Sequence, residues 1–192
     1  MNQLWLRAAS KLTFVDPVPY LVKLRRVQIE IAVSDAQPKV KALRTNSLKA
    51  AREQREAAVF CHGMGERLRH KVYFAAQEDQ DYDFIAKWMV GEELHFAAVQ
   101  LKEVVPVETN PQASIEAIVA GLTKYTDSDG LTVAIHLNQK GRFEPTLLRV
   151  PGLRIGSLWL FGGAAPDQSR WNLWGNFTES DPYGTQFSYP KA

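Results

Sequence analysis

The order of patterned segments predicts an α/β fold, running helix, three strands, helix, strand. Three observations carry this. Residues 47–69 combine an alanine-rich run with Glu56, Phe60 and Met64 at steps of four, one face of a helix. Residues 81–105 (DYDFIAKWMVGEELHFAAVQLKEVV) read as two strands joined by a tight polar turn at Gly91-Glu92-Glu93. Residues 131–137 (LTVAIHL) form an apolar, β-branched run of strand length, as a buried central strand requires.

The chain has 192 residues, enough for one domain with a real core. Hydrophobic residues at 45% and charged residues at 23% are ordinary globular values and argue against wholesale disorder. The net charge of +2 neither demands nor excludes a nucleic-acid partner, because the distribution of charge matters more than its sum. The single cysteine, Cys61, forms no internal disulfide and fits a reducing compartment. No apolar run approaches the roughly 20 residues of a spanning helix, and the N-terminus lacks the continuous apolar core of a secretory signal. A cytoplasmic protein with no membrane partner is expected.

In chain order, residues 1–46 form an N-terminal extension. Pro17 and Pro19 punctuate it, and residues 20–33 fit either a helical stripe or an alternating strand. Residues 34–46, with Pro38, read as a linker whose Lys39, Lys41 and Arg44 join Lys23, Arg25 and Arg26 in a modest basic cluster, in the simplest reading a solvated face. Ser47 is positioned to cap the helix of 47–69. Gly63 and Gly65 mark a close helix–sheet approach or an early helix end. Residues 71–76 give the first strand, 77–80 a turn, 82–90 the second strand and 95–104 the third. Asn110-Pro111 opens the next helix, with Asn as cap and Pro in the first turn, and residues 127–130 end it. A strand, a crossover helix and a further strand imply parallel pairing. Residues 138–192 form a β-rich C-terminal extension packed on the core, with strands expected at 147–150, 155–161 and 171–175 and a tail thereafter.

Chemistry concentrates on the second and third strands. Side chains alternate along a strand, so Asp83 shares a face with Asp81, Ile85 and Lys87, and Gln100 shares one with Lys102. An ammonium in an otherwise apolar strand is costly unless it has a partner or a task. Asp83 followed by Gln100-Leu101-Lys102 on the neighbouring strand resembles the PD-(D/E)XK nuclease superfamily, whose core has the αβββαβ order. The resemblance covers residues 47–137. Proline is absent before the aspartate, and Gln100 stands where a second carboxylate is commoner.

That resemblance implies a restriction-endonuclease-like core, a mixed sheet flanked by helices, and metal-dependent hydrolysis of phosphodiester bonds in DNA. Asp83 would be the anionic ligand for Mg²⁺ or Mn²⁺, the side-chain oxygen of Gln100 and the main-chain carbonyl of Leu101 neutral ligands, and Glu56 a further ligand from the helix. Lys102 would stabilise charge developing on the phosphate. Double-strand cutting by this fold would favour a homodimer.

Plainer readings stand beside these. Asp83 can be a turn residue paired with Lys87 or Lys102, and Glu53, Glu56 and Glu66 can be exposed acids balancing Arg52, Arg55 or Arg67. Cys61 reads as a core thiol and His136 as a hydrogen-bonded core histidine. Glu92, Glu93 and His95 read as hairpin polarity. Lys124, Tyr125, Lys140 and Arg142 are candidates for DNA phosphates, with solvation as their default. A catalytically inactive nuclease-fold module that binds nucleic acid or protein is the alternative function. A structural protein holding only an ion pair is the third.

Overall fold

Seven strands hydrogen-bond in chain order into one mixed sheet in the computed structural model, which describes residues 3–35, 37, 48–77, 82–179 and 182–191. They are β1 (Val72–Ala76), β2 (Phe84–Val90), β3 (Glu93–Val104), β4 (Ser128–Leu137), β5 (Ile155–Gly163), β6 (Arg170–Gly175) and β7 (Tyr183–Ser188). The helices are α1 (Gln3–Ala9), α2 (Pro17–Val33), α3 (Lys49–Leu68) and α4 (Ile115–Gly121). β1, β2 and β3 form an antiparallel meander. β3, β4 and β5 run parallel, and β6 and β7 return antiparallel. The pairing of β4 with β5 carries the sheet directly into the C-terminal residues.

α3 touches β1, β3, β6 and β7, so one helix reaches both edges of the sheet. Six strand spacings would span about 29 Å if flat, against about 10–12 Å for a helix. The sheet must therefore curl around α3. The concave layer buries Phe60 of α3, whose ring meets Phe84 and Phe161, together with Phe74, Trp171, Leu173 and Phe187. The convex layer buries Ile85, Val133, Ile135, Leu158 and Leu160 with Val119 and Leu122 beneath α4. Gly63 lets α3 meet β7 closely, because a Cβ there would lie 2.7 Å from the Phe187 ring.

Local chemistry explains most element boundaries. Between β2 and β3 the turn is two residues, Gly91 and Glu92, with Val90 paired to Glu93. Gly91 has φ +59°, where a side chain would be strained. Residues 20–33 are helical, because Asp16 caps α2 by accepting from Val18 N–H at 2.9 Å and Pro17 occupies the first turn.

Three expectations are corrected. The second helix does not open at Asn110-Pro111: Asn110 spends its side chain on Gln112 N–H at 3.0 Å, an Asx turn, and Ser114 caps α4 instead through Ala117 N–H at 3.1 Å. Residues 147–150 form no strand. Pro145 has no N–H for a ladder, and a 3₁₀ turn spans Pro145–Leu147. The expected tail is β7, in which the β-favouring Tyr183, Thr185 and Phe187 alternate along a strand paired with β6 and anchored by the buried Phe187. Pro38, Lys39, Lys41, Arg44, Ser47 and Asp81, with residues 78–80 of the expected turn, lie outside the described residues.

Candidate functional site

β3 is the strand on which the chemistry hangs. Its odd residues Val99 and Leu101 pack into the concave layer under α3, while Ala98 and Val104 belong to the convex layer. By that alternation Gln100 and Lys102 face the convex side and Glu103 the concave side. These residues sit at the carboxyl end of the parallel strands, the end at which α/β sheets place their ligands.

Asp83 occupies the bend that opens β2, where the β2–β3 ladder begins. Its N–H donates to Val99 C=O at 2.9 Å. Its Oδ2 accepts from the Leu101 N–H at 2.6 Å and from the side-chain amide of the buried Gln100. Asp83, Gln100 and Leu101 thus form one hydrogen-bonded unit across two strands. Both bonds fall on Oδ2, which leaves Oδ1 outside the pair. The Gln100 amide nitrogen faces Asp83, so its oxygen faces a ligand only after the amide turns about its last torsion.

Lys102 is half-buried, and burial pushes its ammonium below the ordinary lysine pKa. Lys124 pushes the same way and Asp83 opposes both, so Lys102 lies within the field of the Asp83 carboxylate. A cleft of about 170 Å³ opens beside Asp83 and Leu101, lined from α3 by Ala50, Glu53, Gln54 and Ala57. The helix acid at this cleft is Glu53, which also lies 3.5 Å from Lys49. Glu56, expected as the helix ligand beside Asp83, is elsewhere. Glu56 lies nearly one turn further along α3 than Glu53, and there its side chain enters the concave core beside His136.

There Glu56 is neither exposed nor paired in the way a surface acid would be. It is 4% exposed, and its Oε1 lies 3.3 Å from Nδ1 of His136, itself 3% exposed. Neither atom makes a hydrogen bond. His136 is opposite Glu103 in the parallel β3–β4 register, and its ring stacks on Phe161 at 5.0 Å and 13°. One ligand atom from each of Glu56, Glu103 and His136 lies within 4.8 Å of the others, so the trio can hold a metal ion. Sequence reasoning read His136 as a hydrogen-bonded core residue and passed over Glu103. The available signal was the parallel pairing itself, which sets an acid of β3 beside the histidine of β4.

The remaining candidates are plainer. Cys61 is fully buried, and burial pushes its thiol far up. His95 stacks on Trp88 at 5.4 Å and lies 3.7 Å from Glu93, as hairpin polarity would have it. Lys140 and Arg142 line a second, larger cleft of about 670 Å³ with Gln139, Asn172 and Trp174. Among the described residues, no helix is long and apolar enough to cross a membrane. No protein-family model, curated protein or solved structure matches the chain, so its function rests on the chemistry of these side chains.

Proposed function

We propose that this chain is a metal-dependent nuclease of the PD-(D/E)XK type, hydrolysing phosphodiester bonds in DNA at Asp83, Gln100 and Lys102. The observation that carries the reading is the Asp83–Gln100–Leu101 unit, with Lys102 in its field, at the carboxyl end of the parallel strands. The order α3, β1–β3, α4, β4, with β4 parallel to β3, supports it.

The donors suit a hard divalent ion. Asp83 Oδ1, the Gln100 amide oxygen after the turn, and the Leu101 carbonyl are all oxygens, as Mg²⁺ or Mn²⁺ prefers. Bound there, the ion supplies an activated water and charge neutralisation at the phosphate. The protein's own groups do the rest. Leu101 N–H and the Gln100 amide fix the Asp83 carboxylate, and Lys102 presents a cation to charge developing on phosphate oxygens. Partial burial makes that cation stronger toward an anion than an exposed lysine. Lys124 and the cleft basic pair Lys140 and Arg142 would hold flanking phosphates.

The test is cleavage of plasmid and single-stranded DNA with Mg²⁺ or Mn²⁺ by the wild type, Asp83→Ala and Lys102→Ala, with folding checked by circular dichroism. Metal-dependent cleavage by the wild type, lost in both folded variants, is the expected result. Cleavage that survives either substitution overturns the assignment.

One observation favours a second reading. Two N–H donors already satisfy Asp83 Oδ2, so the unit holds together without an ion. A nuclease-fold module that binds DNA without cutting would look the same. Salt-sensitive DNA binding without turnover in either metal selects it.

A further inference from the structure

Glu56 and His136 are the most deeply buried acid and imidazole among the described residues, and the nuclease reading uses neither. They approach from different elements, Glu56 from α3 and His136 from β4, and Glu103 joins them from β3. Buried polar atoms are paired in nearly all native structures, so two that converge without a hydrogen bond call for a partner. Oε1 of Glu56 and Nδ1 of His136 are 3.3 Å apart yet unbonded. In a tetrahedral zinc site with bonds of about 2.0–2.1 Å, two ligand atoms are themselves about 3.3 Å apart.

We infer that Glu56, Glu103 and His136 form a transition-metal site of the zinc class, which ties α3 to the centre of the sheet. One imidazole nitrogen and two carboxylate oxygens leave a fourth position for water. The nitrogen ligand separates this site from the all-oxygen set at Asp83, because magnesium avoids imidazole whereas zinc accepts it. The ligands are held in place beforehand. The His136 ring is stacked on Phe161 and tilted over Trp171 at 5.6 Å. Asn138 donates to Glu103 Oε1 at 2.7 Å, the kind of outer contact that orients a ligating carboxylate.

The rival is a shared proton, with His136 donating to Glu56. That arrangement requires the hydrogen-bond geometry the pair lacks. Arg55, the neighbouring cation, lies within the field of Glu56 but gives its guanidinium to Gln168 and lies over the Trp171 ring at 5.5 Å, with no hydrogen bond to Glu56 Oε1. The site is independent of the nuclease proposal, since Lys102 and Glu103 point to opposite faces of β3.

The experiment strips the full chain with a chelator and reloads it separately with Zn²⁺, Co²⁺ or Mg²⁺. Metal per chain is measured by mass spectrometry and stability by thermal melting. The expected result is a zinc ion that persists in Asp83→Ala, with a Tm rise of about 5–10 °C at hundredfold excess over Kd. The Co²⁺ form should show the strong visible absorption of a four-coordinate site. Glu103→Gln and His136→Gln should each weaken zinc binding at least about tenfold. Glu103 is half-buried, so its variant keeps the readout if His136→Gln fails to fold. No stoichiometric zinc, zinc lost in Asp83→Ala, unchanged affinity in Glu103→Gln, or a response to Mg²⁺ alone would each overturn the site.

Discussion

Asp83 and Gln100 are joined across β2 and β3 by a hydrogen bond from the glutamine amide to Oδ2, the oxygen that also accepts Leu101 N–H. The strands present these groups at the point where the ladder opens, so one carboxylate serves as both structural tie and candidate ligand. Asp83→Ala would leave the Leu101 N–H without its acceptor and the Gln100 amide with only a long 3.4 Å bond to Leu101 C=O. Its cost is about 1–3 kcal/mol in urea unfolding, with cleavage reduced at least about 100-fold. A variant as stable and as active as the wild type would remove Asp83 from both roles.

Lys102 carries a pH signature. Burial and Lys124 lower its pKa below 10.5, and Asp83 only partly offsets them. Between the folded value and the ordinary one, the unfolded chain holds more protons than the folded chain. Stability contributed by this group therefore rises with pH across that alkaline window. Lys102→Met should abolish that part of the slope, hold or raise Tm at neutral pH, and lose cleavage about 100-fold or more, the trade expected of a charge kept for function. Melting temperatures from about pH 8 upward check it. An unchanged slope in Lys102→Met would mean that the lysine is solvated in the native state.

Gly63 marks the closest approach of α3 to β7. An alanine Cβ would stand 2.7 Å from Cε1 of Phe187, whose ring is buried and has little room to yield. Gly63→Ala should cost about 1–3 kcal/mol despite the better helix propensity of alanine. Phe187→Leu, combined with it, should return part of that loss. Additive losses in the double variant would show that the two residues do not meet.

Arg67 fastens the end of α3 to the last two strands. Its guanidinium lies 3.6 Å over the Tyr183 ring and 4.8 Å from the Trp159 ring, and it donates to Gly175 C=O at 2.6 Å and Tyr183 C=O at 3.0 Å. A lysine keeps the charge but not the planar fork. Arg67→Lys should cost about 1–2 kcal/mol in thermal unfolding, the sum of weakened hydrogen bonding and stacking. A neutral substitution would show these contacts to be solvent-equivalent.

Periodicity, composition and turn chemistry together made the αβββαβ order legible, because helix 47–69 and the strands around Asp83 and Gln100 bury one face or one layer in regular steps. The tight turn at Gly91 was equally local, and the strand–helix–strand order leading into 131–137 implied the parallel direction without fixing its register. What the sequence could not determine was anything that depends on a distant partner. β7 alternates Tyr183, Thr185 and Phe187, but so short a segment is fixed as a strand only by the ladder that β6 offers. Asn110 looked like a helix cap, and a competing Asx turn claimed its side chain.

The same division runs through the candidate chemistry. Strand parity alone placed Gln100 and Lys102 on one face, since alternation is a property of the chain. Whether Glu53 or Glu56 faces Asp83 depends on how α3 is rotated against a curled sheet, which only packing decides. The convergence of Glu56, Glu103 and His136 likewise belongs to the tertiary structure. Three residues far apart in the chain meet only when parallel pairing and helix docking are fixed together.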